Sequence, residues 1–179
     1  GQNTIIGNIS VVSGEPVALC WDPTTDKMFL LTASPNNLYT VNINTGAASF
    51  IASVNLFPQF NLLSGAIANG GSFYAILHTG DNSNPYLIKI NKTTGEGQLR
   101  GVIFGGASQG PQGIAFDRRP GGFLWWTRYR ANGESDLMFI DTVSSQIIQA
   151  AALPDSTQID GFIVTDNLVG ISNTSDVFT

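Results

Sequence analysis

The sequence predicts an all-β fold, a β-propeller of four-stranded antiparallel blades, and three observations carry that expectation. First, a hairpin signature recurs about every 50 residues, as LYTVNINTG at 38–46, LIKINKTTG at 87–95 and LMFIDTVSS at 137–145. In each copy an alternating apolar run ends in Asn or Asp, and a Gly or Ser stands four positions later, the pattern of a strand entering a tight turn. Second, an apolar strand that stops at a short polar side chain precedes each hairpin: VALCWD at 17–22, SGAIAN at 64–69 and QGIAFD at 112–117, with a fourth, GFIVTD, at 161–166. Third, 20 Gly, 8 Pro and only 12% charged residues in 179 make a turn-rich chain. No stretch shows a 3.6-residue apolar period, so almost no helix is expected.

Taken in order, residues 4–13 (TIIGNISVVS) read as an outer fourth strand with no first three before it. The first repeat, 15–54, runs from VALCWD through the turn Pro23-Thr24-Thr25 into KMFLLTA, then the signature hairpin and AASFIASV. The second, 62–104, repeats this with SGAIAN, Gly70-Gly71, SFYAILH, the hairpin and GQLRGVIF. The third, 110–153, uses QGIAFD, a turn from Arg118 to Gly122, FLWWTRYR, the hairpin and QIIQAAAL. Residues 158–179 supply a first strand, a second strand (NLVGIS) and the start of a third.

Propellers commonly close by pairing strands from both termini within one blade. Residues 158–179 and 4–13 are therefore expected to share a blade, which gives a four-bladed ring; the alternative is a segment of a six- to eight-bladed ring. Either way residues 1–179 form one propeller domain or one propeller segment. The length suits a single domain, and units that bury their faces only against neighbours need about three copies.

Few residues suggest chemistry. Asp22, Asn69, Asp117 and Asp166 stand at equivalent strand ends. Their oxygens would suit Ca²⁺ if they converged, but an Asx side chain before Pro or Gly caps its own turn, and capping is what every repeat demands. The expectation is no cofactor, with Ca²⁺ as the alternative. His78 is the one histidine and Cys20 the one cysteine, so neither an imidazole cluster nor an intrachain disulfide is available. Cys20 reads as a small buried apolar side chain.

The third repeat is atypical. Four of the eight basic residues lie between Arg118 and Arg130, beside Trp125, Trp126 and Tyr129. Strand alternation puts Phe123, Trp125, Thr127 and Tyr129 on one face and Leu124, Trp126, Arg128 and Arg130 on the other. Trp126, Arg128, Arg130, Trp125 and Tyr129 are the candidate binding residues, able to stack on a sugar or anchor a protein interface. The alternative is packing between blades.

The segment WDPTTDKMFLLTASPNNLYTVNINTG, 21–46, resembles blades of the secreted YVTN and NHL propeller groups, which write Trp-Asp or Phe-Asp before the first turn and Asp-x-x-Thr-Gly at the third hairpin. The resemblance extends over nearly the whole chain in three and a half copies and concerns the fold. It implies sensors, lyases, hydrolases and inert matrix modules alike.

The expected function is a non-catalytic extracellular binding or structural scaffold module in a larger surface or matrix assembly. The alternative is a propeller hydrolase or lyase with a divalent metal at the channel mouth. A secreted or cell-surface location is expected from low charge and abundant Ser, Thr and Asn. Sequons stand at Asn8, Asn91 and Asn173 as candidate N-glycosylation sites. Expected partners are a protein or glycan ligand and neighbouring copies. Nucleic acid is disfavoured by the net charge of -5, and the absence of an 18-residue apolar run leaves no membrane span.

Overall fold

A computed structural model of the chain describes residues 7–9, 13–56, 60–79, 84–104, 112–117, 123–129, 133–153 and 159. Among them there is no helix, and every strand belongs to one of three four-stranded antiparallel sheets. Blade 1 holds β1 (Glu15–Asp22), β2 (Lys27–Ala33), β3 (Asn37–Val41) and β4 (Ala48–Ser53). Blade 2 holds β5 (Asn61–Ile67), β6 (Phe73–His78), β7 (Tyr86–Ile90) and β8 (Gly97–Val102). Blade 3 holds β9 (Ile114–Phe116), β10 (Leu124–Tyr129), β11 (Ser135–Ile140) and β12 (Ile147–Leu153). Each sheet keeps its strands in sequence order, so every blade is a simple meander. The expected shared blade lies outside the described residues, except that Gly7–Ile9, Ser13 and Ile159 are seen and are not in a strand.

The signature hairpin takes one geometry three times. The Oδ1 atoms of Asn42, Asn91 and Asp141 each accept the backbone N–H two residues on, at 2.9, 2.9 and 2.8 Å. Their own carbonyls accept from the N–H of Gly46, Gly95 and Ser145 at 2.8, 2.9 and 2.7 Å. Those three residues have φ of +75°, +71° and +59°, the left-handed region that glycine enters without penalty. Thr45, Thr94 and Ser144 then accept the N–H two residues later, each at 3.3 Å. Each third-to-fourth strand ladder also carries a register shift at the same place, at Leu38/Tyr39, Leu87/Ile88 and Leu137/Met138.

Side-chain alternation makes both faces of each sheet apolar. On β6, Phe73, Ala75 and Leu77 join Cys20, Phe29, Leu31 and Leu38 of blade 1 in one cluster. Tyr74 and Ile76 point the other way, into a cluster with Leu124, Trp126, Met138 and Ile140 of blade 3. That explains why SFYAILH reads as a continuous apolar run rather than an alternating one. Full burial of one such side chain is worth about 1.5–3 kcal/mol, so the stack of sheets is the main store of stability.

The face of a blade toward the next one is its forward face, and the opposite one its rear face. Every forward face sets an aromatic ring of the second strand across from a small residue of the first: Cys20 with Phe29, Ala66 with Tyr74, Ala115 with Trp125. The ring then meets the next blade's rear face, Phe29 against Phe73 at 6.1 Å and Tyr74 against Phe116 at 5.5 Å. The same register moves one sequence expectation. Asp22 pairs with Lys27 and the Asp117 N–H donates to Phe123 O, but in blade 2 it is the Ala68 N–H that donates to Ser72 O. Ala68 therefore holds the ladder position of Asp22, and Asn69 stands one residue further into its turn.

Backbone joints tie the blades at their outer edge. Asn55 forms a bridge with Glu96, and the Gly97 N–H donates to Asn55 O at 2.9 Å. A Cβ built on Gly95 would lie 2.4 Å from Ser53 O, with φ at +71°. At Gly133 φ is +84° but nothing stands within 4 Å of such a Cβ. Gly133→Ala should thus cost only the left-handed penalty of about 1–2 kcal/mol, while Gly95→Ala should cost distinctly more because the joint must also open. Urea denaturation of the two variants checks this, and equal losses would contradict it.

Candidate functional site

On β10 the structure separates four of the five residues expected to bind. Trp126 is fully buried and Arg128 is 4% exposed, both in the interior rather than on a surface patch. The Trp126 indole N–H donates to Gln112 Oε1 at 2.6 Å. The Arg128 guanidinium donates to Asp136 Oδ2 from Nη2 at 2.7 Å and from Nε at 3.2 Å, and lies 5.9 Å from the Trp126 ring centroid. The guanidinium is thus engaged by a buried carboxylate directly opposite it in the ladder. Trp125 and Tyr129 are half-buried on the forward face, where Trp125 packs on Phe139 at 5.3 Å. The Trp125 indole N–H is buried with no hydrogen-bond partner among the described residues. Arg130 lies outside the described residues, as do Asp166 and Asn173, whereas Asn8 and Asn91 are exposed.

Gln112 and Asp136 are partners that the sequence reading missed. Asp136 had a signal: it is the one acid inside an otherwise apolar hairpin strand, and the hairpin sets it across from Arg128.

Asp22 behaves as a turn cap and as a clamp between blades. Its Oδ1 accepts from the Thr24 N–H at 2.9 Å and the Thr24 hydroxyl at 2.8 Å, and its Oδ2 accepts from the Thr25 hydroxyl at 2.7 Å. Oδ2 also pairs with the ammonium of Lys92, which the blade 2 hairpin carries. Burial by itself would raise this carboxyl, but the Lys92 ammonium and the threonine donors outweigh it and hold it well below the usual carboxylate range. Cys20 sits in the same joint, its thiol donating to Gly65 O at 3.1 Å and pushed up to about 12 by burial. Asp141 is lowered by the Val143 N–H and the Ser144 hydroxyl of its own turn. Among the described residues no three His, Cys, Asp or Glu are grouped to hold a metal ion.

In blade 1 the rear face is covered at Leu30, Thr32 and Tyr39 but not along its whole first strand. Its rear face carries Leu19, 53% exposed, and Trp21, 39% exposed, on the innermost strand, and Phe50 on the outermost. By ladder position their counterparts are Gly65 and Ile67 in blade 2 and Ile114 and Phe116 in blade 3, which are packed against a neighbouring blade. An open groove of about 530 Å³ lies at the turn end of blade 1. It runs from Asp26, Lys27 and Met28 across Thr40 and Val41 to the hairpin at Asn42–Asn44.

No family model matches the chain, and no curated protein matches it. Solved structures do. The chain is similar to one in a nidogen/laminin complex, with a TM-score of 0.52 and 16% identity over 78% of this chain and 49% of that one. It is similar to a protein of unknown function from Dyadobacter fermentans DSM 18053, with a TM-score of 0.52 and 11% identity over 77% of this chain and 41% of that one. It is also similar to an α-L-arabinofuranosidase from Clostridium thermocellum ATCC 27405, with a TM-score of 0.50 and 14% identity over 85% of this chain and 56% of that one. The nidogen and glycoside hydrolase neighbours are β-propellers, and this chain shares their type of fold. It spans about half the length of these neighbours.

Two outcomes follow from this geometry. Trp126→Ala should destabilise the fold by about 3–5 kcal/mol through the cavity it leaves, and Arg128→Ala by a similar amount because Asp136 stays buried without the guanidinium opposite it; thermal and urea unfolding read both. Asp22 has a lowered carboxyl in the folded state against about 3.9 unfolded, so its contribution is full above about pH 4 and is lost as pH falls through the folded value. The acid limb of the stability-versus-pH curve should therefore be shallower in Asp22→Asn, and an identical limb would remove the clamp.

Proposed function

We propose that this chain is a non-catalytic propeller module that binds a protein, at the cell surface or outside the cell, through the exposed Leu19 and Trp21 of blade 1. The observation that carries the reading is the exposure of Leu19 and Trp21 at ladder positions whose counterparts are covered in both other blades. An exposed tryptophan beside an exposed leucine is the usual make-up of an interface anchor, with large apolar area and few rotamers to freeze. A glycan is the other ligand class that Trp21 suits, by stacking on a sugar ring.

Three carboxylates near the strand ends and hairpins already have structural work: Asp22 is spent on a turn and on Lys92, Asp136 on Arg128, and Asp141 on its own hairpin. The likeness to a chain of the nidogen/laminin complex, a protein in a protein assembly, points the same way.

Surface plasmon resonance against purified matrix and cell-surface proteins, with a set of defined oligosaccharides alongside, tests the reading. A bound protein should lose about 1–3 kcal/mol of affinity, roughly tenfold or more, on Trp21→Ala, and nothing on Val143→Ala at an exposed hairpin tip. A stoichiometric divalent ion in the purified protein, together with hydrolysis or elimination of a glycan, would overturn it in favour of a metal-dependent propeller hydrolase or lyase.

A further inference from the structure

We infer that Asn69-Gly70, in the first turn of blade 2, is a site of spontaneous covalent modification: the Asn69 side chain cyclises onto the Gly70 backbone nitrogen and reopens as aspartate or isoaspartate, and the isoaspartyl form loosens the joint between blades 1 and 2. The inference is independent of the binding reading above.

The geometry of the turn carries it. Two backbone bonds close the turn, from the Ala68 N–H to Ser72 O at 2.9 Å and from the Gly71 N–H to Ala68 O at 2.8 Å. Neither uses the peptide group between Asn69 and Gly70, and the Gly70 N–H has no hydrogen-bond partner among the described residues. Both residues are exposed, and a Cβ built on Gly70 would meet nothing within 4 Å. The Gly70 nitrogen can therefore reach the neighbouring carboxamide carbon with neither a side chain nor a hydrogen bond in the way.

The register of blade 2 creates this setting. In blade 1 the strand ends on Asp22 and the next residue is Pro23, which has no N–H. In the signature hairpins, Asn42 and Asn91 precede Ile43 and Lys92, and the N–H two residues on holds each Oδ1 at 2.9 Å. Asn69 instead stands one residue past the ladder end held by Ala68 and is followed by glycine.

The chemistry needs only water. The Gly70 nitrogen gives up its proton and attacks Asn69 Cγ, the bond from Cγ to the amide nitrogen breaks, and ammonia leaves from a five-membered succinimide. Water then adds to one of the two ring carbonyls. Opening at Cγ gives aspartate with the original main chain; opening at the Asn69 carbonyl carbon gives isoaspartate, whose main chain runs through Cβ and Cγ. One water is consumed, one ammonia is released, and nothing is oxidised or reduced.

The product matters because of what the turn rests on. A Cβ built on Gly71, where φ is +78°, would run into the Thr24 side chain of blade 1 and lie 3.2 Å from Lys92 Nζ, the ammonium that pairs with Asp22. The isoaspartyl link adds one atom to the main chain just ahead of Gly71 and so displaces the turn against Thr24 and Lys92.

Incubation of the folded chain at neutral and mildly alkaline pH, followed by peptide mapping with mass spectrometry and enzymatic isoaspartate detection, is the test. The Asn69 peptide should exchange NH₂ for OH at a rate that rises with hydroxide, while Asn42 and Asn91 stay intact. Mapping reads it apart from Asn132-Gly133, the other Asn-Gly pair of the chain. Gly70→Ala, whose Cβ enters open space, should keep the fold and slow the conversion severalfold. The isoaspartyl fraction, separated by ion exchange, should unfold at a lower urea concentration than Asn69→Asp, which carries the same charge without the extra atom. An Asn69 that stays intact in the folded chain while it converts in urea, or undiminished conversion in Gly70→Ala, overturns the inference, and so does an isoaspartyl fraction with the urea midpoint of Asn69→Asp.

Discussion

Everything in this fold depends on the pleated sheet having two sides. A four-stranded blade whose alternating residues are apolar on both faces cannot bury them alone, so each blade is stable only between neighbours. Blade 2 shows the satisfied case: Phe73, Ala75 and Leu77 are covered from one side and Tyr74 and Ile76 from the other. The remaining features serve that stacking. The small residues Cys20, Ala66 and Ala115 admit an aromatic ring across from them. Gly65 lets the inner strand approach Leu31, whose Cδ1 would lie 2.7 Å from any added Cβ.

Polar groups in the joints fix its register rather than its strength. Asn36 donates to Phe60 O at 2.8 Å and accepts from the Leu62 N–H at 3.3 Å, so a turn of blade 1 holds the entry of blade 2. Asp22 and Lys92 do the same from first turn to third hairpin. Ion pairs of this kind return little net free energy after desolvation, but they penalise any slip between sheets, because a displaced blade would leave a carboxylate or an amide unpaired. The buried Arg128–Asp136 pair works within blade 3 in the same sense, locking the β10 and β11 register against the Trp126 ring.

Much of this was legible in the sequence because local chemistry repeats. Asn42, Asn91 and Asp141 had to sit at hairpins, since an Asx acceptor followed by a residue at positive φ is a local requirement independent of the rest of the chain. The Asp22 cap was readable for the same reason. Trp126 and Arg128 were not: alternation put them correctly on one strand face, but whether that face meets solvent or blade 2 is a property of the stack, and a cluster of Trp and Arg looks alike in both settings. Asn69 misled because a shorter turn in blade 2 shifts the register by one residue, which composition cannot reveal. Trp21 drew attention only as part of a repeat motif, and its exposure is a property of the folded sheet that no local motif records.

The proposal that Leu19 and Trp21 anchor a protein ligand is tested most directly by hydroxyl-radical footprinting of the chain, read by mass spectrometry with and without a purified protein that it captures. Labelling of Trp21 and Leu19 should fall in the complex, while Val143 and Phe104, exposed away from them, stay constant. Labelling of Trp21 that is the same in the free and the bound chain would contradict it.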